Sequence, residues 1–225
     1  MPPHPHAEPP AASDPRTALD PRTASDPRAA VPRPGTAVPR PGTVGPPPHR
    51  PALLVIDMQE AMRPIMHRLD RTVATLAGLS SRARAAGVPV ITVQQRGCGP
   101  VLPELAPRDG DEAPVTKSTA NAFLDTDLDA TLRRLGVTEV LITGFATENC
   151  VETTARHALT LGYDLVLVAD GHTTSLRPDP TDFAPPDQAI AHHNEIYRHI
   201  DFPARTVRVL PAAALDLTAG PPAAR

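Results

Sequence analysis

From residue 52 onward, short apolar runs alternate with segments that carry apolar residues at helical spacing, and a glycine follows each of these segments. Most of the runs lack alternating polar positions, as is typical of strands buried on both faces of a sheet. Strand, helix, glycine and strand in succession indicate βαβ units, because glycine tolerates the left-handed backbone at a helix end. We therefore predict an α/β fold: a doubly wound, Rossmann-like, mainly parallel sheet of five to six strands with helices on both faces. The predicted strands span residues 52–56, 88–93, 139–143, 164–169 and 206–210, and the predicted helices span residues 71–86, 124–135 and 151–161.

The first 50 residues differ in composition from the rest of the chain. They hold half of the 30 prolines, three copies of Asp-Pro-Arg and two copies of Val-Pro-Arg-Pro-Gly-Thr. Proline fixes φ and removes a backbone donor, and this segment has almost no large apolar residues to offset the entropy lost on ordering. We predict a disordered Pro/Arg-rich tail over residues 1–50, one folded domain over 51–215 and a disordered tail over 216–225. A dispensable tail is favoured over a proline-motif ligand or a basic tether.

Charge and hydropathy argue against several classes of partner. The formal net charge is −3, and the apolar-patterned region has no block of Lys or Arg, so neither nucleic acid nor an anionic membrane surface is a predicted partner. No apolar run reaches the roughly 18 residues of a spanning helix, and the N-terminus lacks the apolar core of a secretory signal. We expect a cytoplasmic protein that acts on a small molecule, with its two cysteines, Cys98 and Cys150, as free thiols.

Several polar residues directly follow predicted strands, and the carboxyl ends of parallel strands share one crevice. Asp57 follows the first strand, and Cys150 begins a helix shortly after the third, where the helix dipole and nearby N–H groups favour a thiolate. Taken singly, each candidate has a plainer interpretation: Cys150 as a small buried apolar residue, Asp57 as a local cap and Lys117 as a solvated surface lysine. Together, a carboxylate, a cation and a cysteine at a helix start are the parts of an activated nucleophile.

In this order and spacing, the residues resemble the isochorismatase-like cysteine hydrolases from about residue 52 to residue 210. The segments that carry the resemblance are ALLVIDMQ from Ala52, TK at Thr116, GFATENCV from Gly144, TTA at Thr153 and GY at Gly162. The resemblance implies that Asp57 is the general base, Lys117 the electrostatic partner and Cys150 the nucleophile. It also implies a cis peptide bond between Phe145 and Ala146, which would aim the N–H of Ala146, with that of Cys150, at an oxyanion.

The reaction implied by the resemblance is hydrolysis of an amide-type C–N bond in a small molecule through a Cys150 thioester, with no cofactor. Vinyl ether hydrolysis of the isochorismatase type is an alternative, and it needs Asp57 as a proton donor but not the cysteine. A non-catalytic binding protein that retains the fold is a second alternative. Nicotinamidase-like members of the family carry an Asp-x-His…His metal cluster after the second strand, and no histidine lies between His67 and His157 here. We therefore predict no bound metal.

Residues beyond the three catalytic candidates are assigned from strand ends or from the resemblance. Gln59, Gln94 and His172 lie at or near the ends of predicted strands and are candidates to contact the substrate. The family resemblance also suggests a homo-oligomer in which a neighbouring subunit closes the pocket. Residues 177–187 are a candidate lid or interface loop, because they are rich in proline and aspartate.

Overall fold

The computed structural model describes residues 49–176 and 183–218. The predicted tails lie outside the described residues, apart from residues 49–50 and 216–218, and most of the predicted lid, residues 177–182, lies outside them as well. None of the described helices combines the length and hydropathy of a membrane-spanning segment.

Strands and helices alternate along the described chain. The strands are β1 (Pro51–Ile56), β2 (Val90–Gln95), β3 (Val115–Lys117), β4 (Glu139–Phe145), β5 (Asp164–Thr173) and β6 (Val207–Leu210). The α-helices are α1 (Leu69–Ala85), α2 (Leu128–Arg134), α3 (Glu152–Thr160) and α4 (Pro186–His199). Short 3₁₀ segments occur at Glu60–Ile65, Pro103–Leu105 and Ala212–Ala214.

All six described strands run parallel in one sheet, in the order β3–β2–β1–β4–β5–β6. Alternate residues of each strand face opposite sides of the sheet. Leu54 packs in the core beneath α2, α3 and α4, whereas its neighbour Leu53 packs in the core beneath α1. Chain order reverses between β1 and β4, which is where a doubly wound sheet forms its crevice. The predicted fold class is confirmed.

Element boundaries differ from the predictions at a few places, each with a local cause. β2 begins at Val90 and not at residue 88, because the preceding Pro89 has no N–H to give to the ladder. The helix predicted from residue 124 begins at Leu128, since Asp125 takes a left-handed φ of +55° that interrupts a helix. β3 and α4 were not among the predicted elements.

Candidate active site

The carboxyl end of β1 supplies a buried carboxylate. Asp57 directly follows Ile56, and its N–H donates to the carbonyl of Val93 on β2 over 2.8 Å. Its φ of +50° lies in the left-handed region, which Asp enters more readily than most residues with a Cβ. The strand therefore ends at this residue, and only 2% of its surface is exposed.

β3 ends on a lysine whose side chain is fully buried. Lys117 Nζ lies 2.6 Å from Asp57 Oδ2 and 3.3 Å from Cys150 Sγ. It also donates to Gln95 Oε1 over 2.8 Å and to the carbonyl of Thr119 over 3.1 Å. A buried charge is costly unless it is paired and hydrogen-bonded, and these contacts meet that need. Asp57, Lys117 and Cys150 thus form one group, which we call the charged cluster.

The turn after β4 carries the cysteine. Gly144 has a φ of +112°, and a Cβ at this position would overlap the carbonyl oxygen of Ile56, so no larger residue fits. The peptide bond between Phe145 and Ala146 is cis, as predicted. A single π-helical turn over Thr147–Val151 then leads into α3. Cys150 is therefore held at the junction of β4 and α3, with little of its surface exposed.

Burial sets the charge state of the cluster. Burial raises the pKa of Asp57, and the ion pair with Lys117 opposes this effect. Burial and the neighbouring Asp57 carboxylate raise the pKa of the Cys150 thiol to about 11, and Lys117 offsets this only in part. At neutral pH the thiol is therefore protonated. Asp57 Oδ1 accepts no hydrogen bond from the residues that the structure describes, so this oxygen has lone pairs available to take a proton.

A cavity of about 280 Å³ opens above the charged cluster. Asp57 and Cys150 are part of its wall, while Lys117 lies behind them without exposure. The wall combines small polar and apolar side chains from the ends of β1, β2, β3 and β4. Its lining residues are Asp57, Met62, Gln95, Ser118, Thr119, Ala120, Phe145, Ala146, Asn149 and Cys150.

The three predicted substrate contacts lie outside this wall. The Gln59 amide is buried and bonded to backbone: its Nε2 donates to the carbonyls of Gln95 and Gly99, and its Oε1 accepts from the Gln95 N–H over 2.7 Å. Gln94 is half-buried, and its Nε2 donates to Thr116 Oγ1 over 3.0 Å. Neither glutamine lines the cavity, and the amides of both bond to protein groups, so their contact with substrate stays a prediction.

His172 also lies away from the cavity wall, and it is buried. Its Nδ1 lies 2.8 Å from Thr147 Oγ1, and its Nε2 lies 3.0 Å from Asn194 Oδ1. Burial lowers the pKa of His172 to about 4. The ring does not line the cavity and instead contacts the turn that carries Cys150 from behind, so its predicted contact with substrate stays a prediction.

At the end of β2, the glutamine in the cavity wall is not the one that was predicted. Gln95, not Gln94, lines the cavity and accepts from Lys117. The period of two in a strand could have identified it, because Gln95 shares a sheet face with Ile91 and Val93, which pack beneath the helix that follows Cys150. Asn149 was also missed, and nothing in its local pattern distinguishes it from a surface residue.

No group of three or more His, Cys, Asp or Glu side chains is placed to hold a metal ion within residues 49–176 and 183–218. The expectation of a metal-free protein stays a prediction, which metal analysis of the purified protein would test. Both cysteines are free thiols, as predicted. Cys98 is half-buried in the loop after β2 and is not part of the cavity wall.

Comparison with known protein families identifies the family of this chain. A sequence profile described as the isochorismatase domain matches residues 51–184. The chain belongs to the isochorismatase family. The resemblance inferred from its motifs is thereby confirmed, and the match includes Asp57, Lys117 and Cys150.

Curated relatives of this isochorismatase-family chain are matched over part of their length. Streptothricin hydrolase of Streptomyces noursei is 38% identical over 157 residues, which are 60% of this chain and 54% of the relative. A ureidoacrylate amidohydrolase of Stutzerimonas stutzeri is 41% identical over 70 residues, which are 31% of this chain and 28% of the relative. The chain thus spans about half the length of streptothricin hydrolase and less of the amidohydrolase.

A solved member of the isochorismatase family has the same fold. The crystal structure of an isochorismatase from Pseudomonas putida superposes on the chain with a TM-score of 0.65 and 28% sequence identity. The alignment covers 76% of this chain and 94% of that one. The doubly wound parallel sheet described above is therefore an architecture that this family is known to adopt.

Proposed function

We propose that this isochorismatase-family protein is a cysteine hydrolase that cleaves an amide-type C–N bond of a small molecule through a thioester on Cys150. One observation carries the proposal: Lys117 Nζ contacts both Asp57 Oδ2, at 2.6 Å, and Cys150 Sγ, at 3.3 Å, beside a cavity. A base, a cation and a nucleophile within contact distance are the components that covalent catalysis requires.

Asp57 is the general base in this proposal. The Cys150 thiol is protonated at neutral pH, since its pKa is raised to about 11, and it must lose its proton to attack. Asp57 takes that proton, and its carboxylate charge is thereby neutralised. Lys117 then stabilises the thiolate that replaces the carboxylate as the negative group. The cluster keeps the same net charge throughout, so no charge is added to the buried site.

The remaining steps are acyl transfer and hydrolysis. The thiolate attacks the amide carbon, and the backbone N–H groups of Ala146 and Cys150 are the proposed donors to the oxyanion. Asp57 returns its proton to the leaving nitrogen as the C–N bond breaks, which releases ammonia or an amine. Water, deprotonated by Asp57, then attacks the thioester carbon, and the acid leaves as the thiol is restored.

The size of the cavity and the relatives of the chain both support this reaction class. A volume of about 280 Å³ lies just below the range of about 300–1,000 Å³ that is typical of small-molecule sites, so a small substrate is favoured. One relative is a ureidoacrylate amidohydrolase and another is streptothricin hydrolase, so hydrolysis of C–N bonds has precedent among similar proteins. Small amides and ureido compounds are the substrate class that we propose.

The test is a panel of small amides, ureido compounds and isochorismate, assayed for release of ammonia or pyruvate. We expect turnover of an amide or ureido compound by the wild type, and its loss in Cys150→Ala and Cys150→Ser. Cys98→Ala is the matched control, because it removes the other thiol, and it should keep full activity.

Each other outcome points to a different function. Amide turnover that persists in Cys150→Ala would overturn the thioester mechanism. Pyruvate release from isochorismate that survives Cys150→Ala would identify vinyl ether hydrolysis that depends on Asp57. Binding of panel members without any turnover would identify a non-catalytic binding protein.

A further inference from the structure

A second buried polar group holds the turn that carries Cys150. Thr147 Oγ1 lies 2.8 Å from His172 Nδ1, and His172 Nε2 lies 3.0 Å from Asn194 Oδ1 on α4. Asn194 Nδ2 in turn donates to the carbonyl of Ala169 over 3.0 Å. All three side chains are buried. We call Thr147, His172 and Asn194 the histidine chain.

The direction of each hydrogen bond in the histidine chain follows from its fixed end. Asn194 uses its Nδ2 on a backbone carbonyl, so its Oδ1 faces His172 and can only accept. His172 Nε2 therefore carries the ring proton. Because the ring is neutral, Nδ1 is an acceptor, and the Thr147 hydroxyl donates to it. Thr147 thus has one defined rotamer and one defined partner.

A bulge in β5 brings His172 to this position. β4 and β5 pair regularly up to Ile142 and Leu167, and the pairing resumes with Gly144 opposite His172. A Cβ on Gly171 would lie 2.9 Å from Val168 Cγ1 and 3.1 Å from Thr143 Cγ2, which is too close for an unstrained contact. Glycine at this position therefore allows the bulge to form. His172 is as a result placed where the ladder resumes, opposite Gly144 and behind the Cys150 turn.

We propose that the histidine chain positions the Cys150 turn for attack, with Thr147 and His172 as positioning residues. This inference rests on the proposed function. Thr147 lies between Ala146 and Cys150, whose N–H groups are the proposed oxyanion donors, so a rotation of this turn moves the donors and the nucleophile together. Displacements of about 1 Å at a reacting group can lower a rate by about 100-fold. The hydroxyl of Thr147 prevents such a rotation because it is bonded to the ring of His172 on β5, which is held in turn by Asn194 on α4.

Removal of the Thr147 hydroxyl is the central test. Thr147→Val keeps the shape of the side chain but leaves His172 Nδ1 without its donor, whereas Thr147→Ser keeps the donor. With an amide substrate from the panel, we expect kcat to fall at least tenfold in Thr147→Val with KM within about threefold, and Thr147→Ser to restore most of kcat. Thr143→Val is the matched control, because Thr143 Oγ1 is also buried and donates to the Leu54 carbonyl over 2.7 Å. It should lose comparable stability and keep kcat within about twofold.

Variants of His172 test the other half of the chain. His172→Leu removes both ring nitrogens and should lower kcat at least as much as Thr147→Val. His172→Asn offers a side-chain oxygen close to the position of Nδ1 and should recover part of kcat. Equal kcat in the wild type, Thr147→Val and His172→Leu would overturn the proposal.

A measurement without substrate separates this inference from the proposed function. Iodoacetamide alkylation of Cys150, followed by mass spectrometry across pH, reports how well Lys117 stabilises the thiolate. If the turn shifts in Thr147→Val, the alkylation midpoint should move to higher pH, while Thr143→Val leaves it in place. An unmoved midpoint in Thr147→Val contradicts the positioning role even when no substrate is known. Amide turnover in Cys150→Ala contradicts the proposed function alone.

Discussion

The charged cluster and the histidine chain are two buried polar groups on opposite sides of one turn, and burial affects them differently. The charged cluster holds an ion pair and a protonated thiol, and Asp57 Oδ1 accepts no hydrogen bond from the described residues. In the histidine chain every group is neutral, and its three hydrogen bonds each join a donor to an acceptor. A buried charge that lacks hydrogen bonds raises the free energy of the folded state and is reactive. A neutral network in which every group is hydrogen-bonded is rigid. This difference supports the proposed roles: covalent chemistry for the charged cluster and positioning of the Cys150 turn for the histidine chain.

The largest effect is expected when one charge of the cluster is removed. Lys117→Met leaves the Asp57 carboxylate buried without its cation, so the free energy of unfolding should fall by about 3–5 kcal/mol. We expect kcat to fall by about 1,000-fold or more, because the thiolate loses its stabilising charge. The double variant of Asp57→Asn with Lys117→Met removes both charges, and it should regain most of the stability but none of the activity. Urea unfolding and kcat measured on both variants and on Asp57→Asn test this prediction.

A double variant that is no more stable than Lys117→Met would show that the two charges do not depend on each other in the folded protein. The charged cluster would then lack the coupled ion pair that distinguishes it from the neutral histidine chain.

An intermediate effect is expected from the histidine chain in acid. Burial lowers the pKa of His172 from 6.5 to about 4, so between these values the unfolded chain binds a proton that the folded chain excludes. Stability should therefore fall as the pH drops from about 6.5 to about 4, by up to about 3 kcal/mol from this residue. His172→Asn cannot titrate and should reduce this slope in urea unfolding at pH 7 and pH 4.5. His199→Asn, on the exposed part of α4, is the matched control, and an equal slope in both variants would place the acid sensitivity elsewhere.

The smallest effect is expected at the glutamine that joins the charged cluster to the cavity. Gln95→Ala removes an acceptor of Lys117 and a wall residue, and we expect kcat/KM to fall about tenfold, equal to about 1.4 kcal/mol. Gln94→Ala is the control from the opposite sheet face and should stay within about twofold. A larger loss in Gln94→Ala would restore the contact that was predicted from the sequence.

The fold was predictable because its signals are local and repeated. Apolar runs and helix-ending glycines such as Gly87 and Gly136 mark successive βαβ units, and their repetition strengthens the prediction of a parallel sheet. β3 was missed because it contributes only Val115–Lys117, too few residues to show a period. α4 was missed because its sequence is mostly polar outside a few buried positions such as Tyr197.

The candidate site was predictable only in part, for a different reason. The proximity of Asp57 and Cys150 follows from strand ends that meet at one edge of a parallel sheet. Lys117 ends the unpredicted strand β3, and its place in the site was inferred only through the family resemblance. The placement of His172 depends on a bulge in β5, and the local sequence pattern does not predict a bulge unless the pairing with β4 is known. The choice between Gln94 and Gln95 required the sheet face of each residue, which shifts with the exact register of the strand.

Gly144 opposite Ile56 has a consequence for how this protein can diversify. Asp57, the proposed base, and the turn that carries Cys150 both start from that one pair of residues, on neighbouring strands that approach too closely for any side chain at Gly144. Met62 and residues 118–120 enter the cavity from segments that do not include this pair. Substitutions of these lining residues can therefore change the shape of the cavity without changing the distances within the charged cluster. In this architecture, substitutions that alter substrate preference need not alter the reaction chemistry.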